Sequence, residues 1–281
     1  VLIDAHQHFW RVGRNGFIWP TPDLTAIHRD FLPEDFDVVA GDCGVTGSVL
    51  VQSQPSDRDT DWLIDLAQAT PVVRGVVGWV GLLTPHAPER IADLATRPKF
   101  RGVRPMLQTL ADDDWIARPA LEPALDALVD HDLSLDALVT PRHLKPLLTL
   151  AKRRPDLSII IDHGAKPPVA TQAFEGWARA IAEFAALPRV TCKLSGLLTE
   201  ALPRQPADSV APYIEHLVTQ FGPDRLMWGS DWPVVNLAST YGDWLALSRR
   251  LCGLTDPVEI SALFGGTARG VYRLDAGDAN G

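Results

Sequence analysis

Short apolar runs alternate with amphipathic stretches along almost the whole chain. The apolar runs fall at 1–10, 47–52, 72–80, 100–104, 133–139, 157–162, 190–194 and 226–229. Each is four to ten residues long and rich in Val, Ile and Leu, as strands buried on both faces require. Between them, helical spacing covers 57–69, 88–95, 121–131, 142–153, 174–187, 210–221, 244–251 and 258–264. Pro33 followed by Glu34 and Asp35 marks a further helix start, with Pro in the first turn and acids beside the positive end of the dipole. Residues 11–34, with Trp19, Pro20 and Pro22, are too aromatic for disorder and predict a structured loop near a site. Strands alternating with helices give a parallel sheet. Eight units without a dinucleotide-binding Gly-rich turn predict an α/β fold of the TIM-like (β/α)8 barrel type in a single domain, residues 1–274, with a frayed tail at 275–281.

Composition narrows the partners. The 281 residues are 46% hydrophobic, enough for one large core, and carry a formal charge of −9 from 35 acids and 26 bases. That balance argues against nucleic-acid and membrane partners and points to a small-molecule ligand. Cys43, Cys192 and Cys252 show no CxxC spacing, so neither a disulfide framework nor a zinc knot is expected. With no apolar stretch of membrane-spanning length, a cytoplasmic location is expected. Oligomeric state is not legible from the chain.

A barrel of this kind builds its site at the C-terminal ends of its strands. Those ends carry His6 and His8, Gln52 with Gln54 beyond it, Trp79, Arg104, Asp162-His163, Lys193, and Ser230-Asp231-Trp232. Simple alternation along a strand puts Asp4, His6 and His8 on one face. The two imidazoles are either metal ligands and oxyanion-side donors or a hydrogen-bonded pair in a turn. Asp231 reads as a general base or a loop cap, and His163 as a catalytic or metal-binding group or a bonded rim residue. Arg104 reads as a substrate clamp or as the ion-pair partner of a rim acid, and Lys193 as a structural pair for such an acid. Asp162 is expected to fix a loop, and Asp4 to pair inside the barrel. Trp79 and Trp232 are an apolar wall for a ring-shaped ligand or simply core, and Gln52 a donor to substrate hydroxyls.

Asp4-Ala5-His6-Gln7-His8-Phe9-Trp10, Phe100–Val103 with Arg104, Asp162-His163-Gly164-Ala165-Lys166-Pro167, Cys192-Lys193-Leu194-Ser195-Gly196 and Gly229-Ser230-Asp231-Trp232-Pro233 together resemble the lactonase group of the amidohydrolase superfamily. Pro141-Arg142-His143-Leu144 and Asp112-Asp113-Asp114-Trp115 lean toward its branch acting on L-fucono-lactone. The resemblance implies hydrolysis of a sugar-acid lactone, with Asp231 activating water and His6, His8 and His163 polarising the carbonyl. It also implies substrate contacts from Arg104, Gln52, Trp79 and Trp232. The bridging Lys or Glu after strand four and the His after strand five of two-metal relatives are missing. At most one zinc is therefore expected, on His6, His8, His163 and Asp231, and activity is not expected to require it. A zinc-dependent decarboxylase and a non-catalytic sugar-acid binding protein are the alternatives.

Overall fold

The computed structural model describes residues 1–274; the tail expected to fray lies outside the described residues. Eight strands pair in parallel in chain order: β1 Ile3–Gln7, β2 Gly47–Val51, β3 Val73–Gly78, β4 Phe100–Val103, β5 Ser134–Ala137, β6 Ile159–Ile161, β7 Val190–Leu194 and β8 Leu226–Trp228. The circle closes beyond β8, where Gln7 bridges Trp232. There His8 N donates to Trp232 O at 2.7 Å and Asp231 N to His6 O at 2.8 Å. Closure thus runs through the segments that carry His6, His8 and Asp231. The expected (β/α)8 barrel is the fold.

Helices fill the connections: α1 Pro33–Asp42, α2 Asp57–Ala69, α3 Ala87–Ala95, α4 Glu122–Asp130, α5 Leu144–Arg153, α6 Phe174–Ala185, α7 Ala211–Phe221 and α8 Tyr241–Leu251. Two of them start on a side-chain cap. Ser56 accepts from Arg58 N ahead of α2, and Thr240 accepts from Asp243 N, which starts α8 three residues earlier than its apolar spacing suggests. β3 and β5 are shorter than their apolar runs, chiefly because the two residues at each C-terminal end leave the ladder to build loops. No helix among the described residues is long and apolar enough to cross a membrane.

The chain ends differently from expectation. The helix predicted at 258–264 breaks into α9 Pro257–Ser261, a wide turn at Ala262–Gly266, and α10 Thr267–Val271. Gly265 explains the break: a Cβ there would lie 2.7 Å from Val1 O. Gly270 weakens the pattern that would have announced α10. The segment closes the N-terminal mouth of the barrel, packing Ala268, Tyr272 and Leu274 against Ile3, Ala5, Val49, Val51, Val77, Ile160 and Met227.

Gly229, just past β8, is where the last strand seats on the first. A Cβ there would lie 2.8 Å from His6 Cβ and 3.0 Å from His6 N. We expect Gly229→Ala to push β1 and β8 apart, costing about 1–3 kcal/mol in urea unfolding as overpacking does. Wild-type stability in this variant would show that the closure has slack.

Candidate active site

β1 does not hold its simple alternation. Its register against β2 shifts between Asp4 and Gln7, an irregularity that re-aims the side chains beyond it. Asp4 is therefore not on the face of the histidines. Its carboxylate accepts from Ser230 N (2.8 Å), Ser230 Oγ (2.6 Å), Tyr241 OH (2.9 Å) and His6 N (3.1 Å), tying β1 to the chain after β8 and to α8. Burial raises its pKa to about 6 against those four donors.

His6 turns instead into the barrel. Its Nδ1 lies 3.1 Å from Lys193 Nζ and 3.4 Å from Asp162 Oδ1. Lys193 also reaches Asp136 Oδ2 at 2.8 Å and Asp162 Oδ1 at 2.9 Å. Below it, Tyr272 donates to Asp136. Arg104 Nη1 stands 3.4 Å from Asp162 Oδ2, and its Nη2 donates to Gln52 O. All of these side chains are buried. Burial would strip charge from Lys193, but Asp136 and Asp162 hold its pKa above the ordinary value. Burial likewise pushes Asp162 up, and Lys193 and His6 more than reverse this, leaving it ionised. Lys193 thus pairs with acids as expected, and Asp162 anchors cations as well as opening a loop. Asp136 gave little sequence signal beyond being a lone acid inside an apolar strand.

Above this layer sit the other imidazoles and the strand-eight carboxylate. His6 Nε2 is 3.1 Å from His8 Nε2, and His8 Nδ1 donates to Val51 O at 2.8 Å. Asp231 Oδ1 lies 3.3 Å from His8 Nε2, 3.8 Å from His6 Nε2 and 3.9 Å from His163 Nε2. Burial would raise the Asp231 carboxyl, but the imidazoles of His163, His8 and His6 bring it below the usual carboxylate range. Asp231 is an ionised base at neutral pH. Burial lowers the His163 pKa to about 4 despite Asp231 and Asp162, so that ring is neutral.

His163 is held by unusual backbone. It opens a left-handed turn, with φ of 54° at His163, 57° at Gly164, 61° at Ala165 and 49° at Lys166. Each non-glycine residue so placed costs roughly 1–2 kcal/mol. Trp177 Nε1 pins the turn through Gly164 O at 2.7 Å, and Ser195 Oγ meets His163 Nδ1 at 2.8 Å. Asp231 also has positive φ, 57°. Strained backbone thus carries two of the groups that face each other, as it does where geometry serves a site.

A cavity of about 190 Å³ opens over this floor, reached by His8, Arg104, His163 and Asp231. Ser53, Lys166, Gln108 and Thr109 add polar groups, and Ile18, Trp19, Pro55, Met106, Leu138 and Val234 form apolar walls. Two braces position the walls. Gln54 accepts from Ile18 N (2.9 Å) and donates to Trp19 O (2.7 Å), holding the structured 11–34 loop over the opening. Arg142 pairs with Asp113 and donates to Leu110 O (2.8 Å) and Gln108 O (3.2 Å), fixing the loop that presents Gln108 and Thr109.

Four expected site residues do not line the cavity. His6 is fully buried beneath His8 and Asp231. Gln52 is also fully buried: its side-chain amide donates to the backbone O of Arg104 at 3.0 Å and its own backbone O accepts from Arg104 Nη2, so it braces Arg104. Trp232 packs edge-on against Phe9 and Phe31 with ring centroids 6.3 and 5.2 Å away, because the strand-eight loop turns it into the aromatic packing under α1. Because Thr60 holds its backbone N (2.8 Å) and O (2.9 Å) over α2, Trp79 lines an adjoining apolar groove with Val80, Leu82 and Trp115, which shares Pro55, Met106 and Thr109 with the cavity. The wall residues that sequence reasoning passed over, Met106, Gln108, Leu138 and Val234, lie in loops with no motif of their own.

His6, His163 and Asp231 bring ligand atoms within 4.8 Å of one another, and His8 Nε2 adjoins two of them. Nitrogen and carboxylate donors so spaced suit one zinc. Among the described residues this is the only such cluster.

Residues 3–274 match the amidohydrolase family. The chain is 52% identical to an L-fucono-1,5-lactonase of Burkholderia ambifaria, over 97% of this chain and 96% of that protein. It is 34% identical to an L-fucono-1,5-lactonase of Burkholderia multivorans, over 97% and 96%. It also resembles the crystal structure of a Burkholderia multivorans amidohydrolase with bound zinc, with a TM-score of 0.92 and 34% identity, over 97% of this chain and 99% of that one. With its parallel eight-stranded barrel and its His and Asp groups at the strand ends, the chain belongs to the amidohydrolase family.

Proposed function

We propose that this protein is a lactonase that opens L-fucono-1,5-lactone to the free acid. The observation that carries the reading is Asp231, ionised and ringed by His6, His8 and His163 within 3.3–3.9 Å, at the floor of a cavity lined by both polar and apolar side chains. The 52% identity to an L-fucono-1,5-lactonase over almost the full length supports the substrate. A lactone is an activated cyclic ester, so ring opening needs a water made nucleophilic and a positive environment for the oxyanion. All three histidine contacts of Asp231 are to Oδ1, which leaves Oδ2 to take the proton of water. His163 and Arg104 face the cavity and meet the developing charge on the carbonyl oxygen. Asp231 then returns the proton to the ring oxygen that leaves. Lys166, braced by Glu200 at 2.7 Å, together with Gln108, Thr109 and Ser53, reads hydroxyls, while Trp19, Leu138 and Val234 cover the methyl and ring face.

A single zinc would be held by His6, His163 and Asp231, with His8 beside them. When bound, it would polarise the carbonyl and acidify water. The residues present supply a base, a cationic donor in Arg104 and a neutral imidazole in His163, so on this reading the metal is an aid and not a requirement.

We expect Asp231→Asn to keep its unfolding midpoint close to wild type and to lower kcat on L-fucono-1,5-lactone by a factor on the order of 10² or more, the loss typical of a removed general base. Acid release above the spontaneous rate, followed by pH indicator, is the assay. A folded variant with near-normal kcat would transfer the base role to His163. Activity confined to aromatic dicarboxylate lactones would sink the sugar-lactone assignment.

Chelator treatment followed by elemental analysis addresses the metal. Stripped protein should retain most of its turnover, and added zinc should change it by less than about tenfold. Activity that disappears on stripping and returns in proportion to one bound ion would make the metal essential.

A further inference from the structure

The cavity shows cations to a ligand, yet each of them has an acid at its back. Among the described residues, Arg104, Lys166 and Asp231 are the charged side chains that line it. Arg104 stands 3.4 Å from Asp162, and Asp162 and Asp136 also share Lys193, so two cations face two acids inside the barrel. Lys166 has a partner of its own. Its Nζ donates to Glu200 Oε1 at 2.7 Å, and Glu200 does not itself reach the cavity.

Backbone places both ends of this pair. Lys166 leaves the left-handed turn after β6 with φ of 49°, and Glu200 ends a short helical turn, Leu198–Glu200, after β7. Glu200 O accepts from Ala170 N at 3.0 Å, which joins the two loops. The side chains are only 19% and 25% exposed, so water screens their charges less than at a free surface. An ammonium carries three N–H bonds, and Glu200 takes one, which leaves two for a ligand in the cavity. Glu200 thus removes the net charge of Lys166 and spares its donors.

We infer that Glu200 is a specificity-determining residue: by cancelling Lys166 it leaves a wall that binds hydroxyls and does not hold a carboxylate. The inference rests on the lactonase reading and adds a direction to it. Hydrolysis turns a neutral lactone into an anion, so a spare cation in the wall would favour product over substrate. It would also admit lactones that bear a carboxylate. A cavity of about 190 Å³ is no wider than a Debye length, ~8 Å at physiological salt, so this pair acts on a bound group wherever it sits. The Asp231 carboxylate, and a zinc when loaded, add the same charge with and without Glu200.

The test compares two ligands of one hydroxyl pattern, L-fuconate and the uncharged L-fucitol, by calorimetric titration of the full chain at matched metal content. Glu200→Gln keeps an acceptor for Lys166. It should bind L-fuconate about three- to tenfold tighter than wild type does, with L-fucitol changing by less than about twofold. Glu200→Asp keeps the charge and should retain the wild-type ratio. Lys166→Met leaves the carboxylate uncancelled and should weaken L-fuconate relative to L-fucitol by a similar factor. The gain in Glu200→Gln should shrink in about 1 M sodium chloride, where the Debye length falls to ~3 Å. Equal shifts for both ligands, a gain that survives high salt, or no gain at all overturns the inference. Wild-type turnover of L-fucono-1,5-lactone is measured alongside. Its absence sinks the substrate assignment, whereas turnover with an unchanged ratio in Glu200→Gln sinks only the role of Glu200.

Discussion

Lys193 is buried inside the barrel among groups from β1, β5 and β6, and the rest of the site is built on top of it. An ammonium at zero exposure is tolerated only when well-placed partners offset several kcal/mol of lost hydration. Here the partners come from three other strands: Asp136 on β5, Asp162 at the end of β6 and His6 on β1. Arg104, just past β4, reaches the same Asp162, and Tyr272 supports Asp136 from the closing segment. Removing one charge would leave another buried and unpaired, which is far costlier than the pair is worth. Register, barrel closure and the orientation of His6 are therefore set together.

A division of labour follows. The floor is rigid, made of strand ends, buried ion pairs and strained turns at His163 and Asp231. The walls are loops, two of them tied down by polar braces: Gln54 for Ile18 and Trp19, Arg142 for the segment carrying Gln108 and Thr109. The proposed mechanism places chemistry on the rigid part, and substrate reading on the part that can change without unfolding the barrel. The family relationship and the floor argue for one reaction class, and the walls decide which sugar acid fits.

Much of this was legible from the chain. Eight apolar runs separated by helical spacing led directly to the barrel, and His6, His8, His163 and Asp231 do converge, because strand ends in this fold share one rim. The losses have physical reasons. Asp4 was placed on the histidine face because a register shift within a strand leaves no mark in an alternating pattern. Trp79 and Trp232 looked like ligand walls because an aromatic ring beside a site and one packed in a core have the same composition signal. Asp136 and Tyr272 were missed because they matter only through contacts between residues far apart in sequence. Met106, Gln108, Leu138 and Val234 in the cavity walls were missed for the same reason.

The account stands or falls on water, activated by Asp231, attacking the lactone carbonyl directly. A single turnover with enzyme in excess over L-fucono-1,5-lactone, run in 18O water and read by mass spectrometry of both product and digested protein, tests that step. The account predicts one 18O in the carboxylate of the released acid and none in the peptide containing Asp231. Label in Asp231, with an unlabelled first-turnover product, would mean that its carboxylate bonds to the substrate as a nucleophile, and the general-base account would be wrong.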